Sequence, residues 1–141
     1  MTIPIWPLDL PQRSLVQGFQ SSVRGNRLTT APDAGPAKQR RRGPAVRPIT
    51  CTVMVDFDGR AQFDQFYEEE LNFGVTPFLI PDQQIDDTLL SDESWSWLAD
   101  ESGNPLIIES WWLAQFGQNQ PAVTAVDGLL FTIQFDLVVL P

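Results

Sequence analysis

The sequence predicts a mainly β protein, an antiparallel β-barrel or sandwich with one α-helix at about residues 59–72. Three observations carry that expectation. Residues 49–56 and 129–141 alternate apolar and polar side chains with the period of a strand. Between them, only one segment repeats its apolar residues at helical spacing. The other apolar runs are short and bounded by Pro or Gly, as strands between turns are. At 141 residues the chain is expected to be a single domain, 1–141, able to bury a substantial core.

The N-terminal arm spans residues 1–19. Its first fourteen residues hold three prolines and alternate weakly through Ile3, Ile5, Trp6, Leu8 and Leu10, which suits an extended arm or edge strand. Residues 20–48 are rich in Gly, Pro, Arg, Ser and Thr. Within them Arg27–Thr30 is a candidate short strand, and 31–48 is expected to be a long basic loop. "ITCTVMVD", 49–56, places Ile49, Cys51, Val53 and Val55 on one face, so Cys51 is expected as a small core residue rather than a nucleophile. The helix follows, with Asp58 as candidate N-cap, Phe63, Phe66, Tyr67 and Leu71 on one face and Gly74 as its stop. "VTPFLIP", 75–81, is expected as a strand. Residues 82–105 are an acidic insertion with Trp95 and Trp97 at strand spacing. A strand over 106–116, a loop from Gly117 to Gly128 and a long terminal strand complete the chain. No internal repeat is expected.

Charge is unevenly distributed. All nine Lys and Arg lie in residues 1–60 beside four acids, a balance of +5. Residues 61–141 carry fourteen acids and no base, a balance of −14. Two explanations are open: the halves neutralise each other within one fold, or a basic surface on one copy meets an acidic surface on another. The basic residues concentrate in Lys38, Arg40, Arg41, Arg42 and Arg47. Nucleic acid, membrane lipid and another protein are the candidate partners of such a run.

The chemistry of catalysis is sparse. There is no histidine, hence no imidazole base or metal ligand, and the one cysteine permits no internal disulfide or cysteine zinc cluster. An Asp/Glu site for Mg²⁺ or Ca²⁺ stays open on composition, but "DDTLLSDE" lacks the order of a calcium loop. Glu68, Glu69 and Glu70 fan around a helix instead of converging, as a hydrolase pair would require. No phosphate-binding glycine motif or nucleophile elbow occurs, and the lone Lys38 stands in a polar segment where nothing lowers its pKa. No catalytic, cofactor-binding or metal-ligating residue is therefore assigned, and no enzyme is expected. No apolar run reaches the ~18 residues of a membrane span. The opening "MTIPIWPLDLPQRS" lacks a basic flank followed by an apolar core, so no secretory leader is expected. Five tryptophans suit core packing and interfaces. Trp111 and Trp112, adjacent in a strand, must point to opposite faces, so one is expected to look outward. The candidate interface set is Lys38, Arg40, Arg41, Arg42, Arg47, Trp95, Trp97, Trp111 and Trp112.

Several stretches carry a resemblance. "IPIWPLDLPQ" (4–12 at its core), "DAGPAKQRRR" (33–42), "RPITCTVMV" (47–55), "AQFDQFYEEEL" (61–71), "GVTPFLIP" (74–81) and "FTIQFDLVVLP" (131–141) stand in the order of small tail proteins of siphophages, prophages and gene transfer agents. That group is similar to the minor tail protein M family of lambda-like phages. Residues 82–105 fall outside the resemblance. It implies a distal tail protein-like β domain with one helix, and a structural role in the virion. It implies a ring, expected hexameric, at the distal end of a long non-contractile tail, joining tail tube to tip or baseplate hub. The implied partners are other copies of this chain, the tail tube protein and the tip proteins, with genomic DNA only in passage and no membrane. A head–tail joining or tail-terminator ring is the alternative, and a nucleic-acid-binding module is a third reading. In a ring the acidic surface is expected to face the lumen in part and the arginines a protein contact, because basic walls would retain DNA.

Overall fold

The computed structural model describes residues 2–141. After the arm come β1 (Gln20–Ser21), β2 (Gly25–Thr30), β3 (Lys38–Val55), α1 (Phe57–Gln65) and a wider helical turn, Phe66–Glu70. They are followed by β4 (Phe78–Pro81), β5 (Thr88–Leu89), β6 (Ile107–Ile108), β7 (Trp111–Phe116), β8 (Ala122–Asp127) and β9 (Leu130–Val139). The fold is mainly antiparallel β with one helical segment, as expected.

The two best-patterned stretches pair with each other. β3 and β9 form an antiparallel ladder from Arg47↔Val139 to Val55↔Phe131. Its register puts Ile49, Cys51, Val53 and Val55 on the same face as Ile133, Phe135, Leu137 and Val139, and all eight are buried. The ladder seeds a seven-stranded sheet with the path β1-β3-β9-β7-β4, in which β2 adds to β3 and β8 to β9. Trp112, Ala114 and Phe116 of β7 and Phe78 and Ile80 of β4 extend the same buried face. The helix lies over it through Phe63 and Phe66, with Leu71 just beyond.

The arm completes the enclosure. Ile5 bridges Leu79 of β4 in parallel, with Trp6 N–H donating to Leu79 O at 2.8 Å and Leu79 N–H to Pro4 O at 2.9 Å. Further on, Leu15 N–H donates to Thr52 O at 2.7 Å, and Gln20 and Ser21 pair with Thr50 and Ile49. One segment thus covers both ends of the sheet path, so the backbone groups of β4 and β3 that an open sheet would expose are paired. Between these contacts Trp6 is buried at the centre of an aromatic cluster. Its ring lies 6.1 Å from Phe63, 5.7 Å from Phe66, 6.2 Å from Phe78 and 5.5 Å from Phe135, and its Nε1–H is satisfied by Pro11 O at 3.0 Å.

Four expectations need correction. The basic segment 31–48 is not a loop throughout, because Lys38 begins the eighteen-residue strand β3. Its outer half is solvent-exposed and shows no apolar alternation, so nothing in the pattern marked it as strand. Second, Gly117 to Gly128 includes β8, an edge strand whose described side chains are exposed. Third, the strand over 106–116 is two strands, interrupted at Glu109 and Ser110. Fourth, the helix is capped by Asp56, whose Oδ1 accepts from Gly59 N–H at 2.7 Å, and Asp58 sits in its first turn, where its charge also suits the dipole. At the other end Asn72, Phe73 and Gly74 are all left-handed, and a Cβ on Gly74 would lie 2.8 Å from the Tyr67 ring.

Two predictions follow from the core. Trp6→Ala should destabilise the fold by about 3–5 kcal/mol, since it empties the cluster and releases the arm from both edges; denaturant titration should show a lower midpoint. Burial, helped by the charge of Asp136 and opposed by the Ser14 hydroxyl, pushes the Cys51 thiol from 9.0 up to about 12. The unfolded chain therefore loses this proton first, and stability falls as pH rises above 9.0. Cys51→Ala should show a shallower alkaline decline than the parent protein, and a thiol reagent should label Cys51 only on unfolding.

Candidate functional site

Two projections leave the sheet at one end. Arg47 of β3 and Ala114 of β7 both pair with Val139, on opposite sides of β9. The outer half of β3 and the chain that precedes β7 both run on past this point. On one side stands the hairpin of β2 and the first half of β3. On the other stands the acidic segment between β4 and β7.

The hairpin carries the basic residues. Residues 24–47 hold seven Lys and Arg and one acid. Lys38, Arg40, Arg41 and Arg42 are exposed on it. Its register sets Thr30 opposite Lys38, Leu28 opposite Arg40 and Arg27 opposite Arg41. Like charges directly across a ladder repel, so the Arg27–Arg41 pair costs stability in the free chain. Arg27 Nη1 reaches Gln39 Oε1 at 3.4 Å, which supplies no counter-charge. Below this pair the register shifts, and β3 bulges through Gly43, which is left-handed, while Asn26 Nδ2 donates to Pro44 O at 2.9 Å. The bulge opens a hollow of about 350 Å³ lined by Arg24, Arg27, Arg40 and Arg41. Arg24 and Arg27 were absent from the expected interface set. Only the pairing of β2 with β3 brings them beside the arginine run.

The acidic segment is rooted by a clamp. Asp82, buried, pairs its N–H with Ser110 O at 2.8 Å and accepts from Ser110 Oγ at 3.2 Å, while Asp86 Oδ1 accepts from Ser110 N–H at 2.8 Å. Beyond β5 and β6 the chain repeats itself with a period of eight, contrary to the expectation of no internal repeat. Leu90, Leu98 and Leu106 recur, as does Glu-Ser at 93–94, 101–102 and 109–110. The geometry repeats too. Asp92 Oδ1 accepts from Ser94 and Ser96 N–H at 2.8 and 2.9 Å, and Asp100 Oδ1 from Ser102 and Asn104 N–H at 2.9 and 2.8 Å. Ser91 bridges Trp97 as Ala99 bridges Pro105. These bonds hold the Asp100 carboxyl below its usual range, the Asn104 amide foremost. The signal was legible: a leucine every eight residues and a repeated Asp-Glu-Ser.

The twin turns differ at one position. The second has Gly103 at φ +83°, and the first has Trp95 at φ +62°. A bulky residue rarely adopts this conformation, which costs on the order of 1–3 kcal/mol. Trp95 is also 87% exposed, and Trp97 is 64% exposed. Trp111 looks outward, half-exposed, and Trp112 is taken into the core, where the Arg47 guanidinium lies 6.0 Å from its ring. Arg47 and Trp112 therefore meet each other at the root of the two projections, and the remaining interface candidates face solvent.

Among the described residues the two charge sets do not pair with each other. Among the described residues no carboxylate forms an ion pair with any Lys or Arg. Nor, among them, does any group of three acids come together to hold a metal ion. Among the described residues no helix is long and apolar enough to cross a membrane. No family model matches the chain, and no curated protein matches it.

Replacing Trp95 by Gly should relieve the left-handed strain. Hydrogen exchange at the amides of residues 90–98 should slow by a factor corresponding to about 1 kcal/mol of local stability.

Proposed function

We propose that this protein is a structural component of a virion, one subunit of a closed ring at the distal end of a long non-contractile phage tail, between tail tube and tip. The observation that carries this proposal is the unpaired charge split at one end of the sheet. A basic hairpin and an acidic twin turn extend from the strands on opposite sides of β9, and among the described residues neither pairs with a counter-charge. Head-to-tail contacts in a ring are heterologous and require two different, complementary surfaces on every subunit. A basic surface on one flank and an acidic one on the other meet that requirement. Charges of this kind steer encounter and fix register more than they add affinity.

The mainly β domain with one helix agrees with the fold that the resemblance to phage tail proteins implies. The partners in this proposal are other copies of the chain, the tube protein on one side and the tip or hub proteins on the other, with DNA only passing through. The hairpin suits protein better than nucleic acid, because aromatic side chains do not interleave with its arginines to stack bases.

Two measurements test the proposal. Reversing Arg40, Arg41 and Arg42 together to Glu should leave the fold intact, within about 0.5 kcal/mol, because all three are exposed. The same variant should abolish incorporation into tails. Electron microscopy of particles assembled without the protein should show tubes that lack their tip. Tailless heads beside free tails would instead assign the ring to the head–tail junction.

A further inference from the structure

We infer that Trp95 is the docking side chain of the acidic twin turn, and that it seats in the arginine-lined hollow at the hairpin bulge of a second copy of this chain. The inference rests on the proposal that copies meet basic flank to acidic flank, and it deepens it by naming the contact.

Three independent features converge on this pair. The first is the conformation of Trp95. The two turns share the same pair of backbone N–H bonds to an aspartate Oδ1, yet where the second uses Gly103 the first holds a tryptophan in left-handed backbone. No extra hydrogen bond in the first turn offsets the strain: its bonds to Asp92 match those to Asp100, and the second turn adds one more, from Asn104 Nδ2 to Asp100 Oδ2 at 3.5 Å. The strained conformation does fix the direction of an indole that stands 87% exposed at the apex. The second feature is the hollow. At about 350 Å³ it is roomy enough for one indole, and Arg24, Arg27, Arg40 and Arg41 form its rim. Guanidinium groups stack on indole faces, and the attraction strengthens once water is excluded. The third feature is charge. Arg27 and Arg41 oppose each other with no counter-ion among the described residues, and Asp92 and Glu93 lie three and two residues before Trp95. Seating the indole would carry two carboxylates to the arginine rim, removing the like-charge cost while it buries the aromatic ring. Tryptophan and arginine are among the residues most enriched at interface hot spots.

The surface contact is reciprocal in kind but not in place. Each copy offers one Trp95 and one hollow, so a head-to-tail contact propagates from copy to copy and forms a ring where the rotation between copies closes.

Sedimentation velocity of the full chain across a concentration series at low ionic strength tests the inference, with three variants. The parent protein should self-associate, and added salt should weaken that association. Trp95→Gly should fold with its turn at least as stable as before, yet weaken association about tenfold or more. Trp95→Phe should keep most of the association, since a ring remains to stack. Arg27→Glu with Arg41→Glu should match the loss in Trp95→Gly, and combining all three substitutions should add little further loss. If Trp95→Gly associates like the parent while the arginine variant does not, the seat is wrong and the flank-to-flank proposal stands. If the parent stays monomeric at every concentration, or if single-stranded DNA occupies the hairpin in preference to a second copy, both are overturned.

Discussion

The ladder between β3 and β9 is the constraint on which the rest depends. Its register sets the apolar odd-numbered residues of 49–55 beside those of 131–137, and a slip by one residue would turn Cys51, Val53, Phe135 and Leu137 to the wrong face. Everything else is placed relative to it. β7 and β8 share the other side of β9, β1 lies along β3, and the helix rests on the face the ladder creates. Both strands are near the sequence positions where local pattern is strongest, so local and long-range preferences agree there.

The same ladder explains how an ordered core carries a projecting charged finger. β3 has eighteen residues, and β9 engages only those from Arg47 onward. The remainder pairs with β2 alone and has solvent on both faces. Repulsion across Arg27 and Arg41 is tolerated there because the buried half of the strand anchors the hairpin. The arm plays the complementary part at the other edge. By bonding to Leu79 and then to Thr52, it covers part of the edges of β4 and β3, while β8 stays an exposed edge.

The twin turn shows a different economy. Asp92 and Asp100 each organise a turn by accepting two backbone amides, so a short acidic segment acquires shape with almost no core of its own. Its aspartates are structural acceptors first and surface charges second. The left-handed position that follows is open to glycine at no cost, and Trp95 occupies it all the same. Backbone strain beside full exposure directs attention to this residue more firmly than the spacing of Trp95 and Trp97 did.

By itself the sequence determined the class of fold, the buried faces of β3 and β9, the helix and its apolar face, and the outward turn of one of the Trp111–Trp112 pair. Each of these is local: a period of two or of 3.6 exposes which side chains share a face. The sequence also holds the eight-residue repeat, in acidic residues without apolar alternation, where neither strand nor helix periodicity marks it. Only the tertiary structure decided that the basic run is a strand, that Arg24 and Arg27 join it, that Trp6 is the hub of the core and that Arg47 meets Trp112. Those facts depend on pairings between residues far apart in the chain. A hairpin exposed on both faces has no periodicity to announce it, and a cross-strand neighbour is set by register, which no single segment encodes.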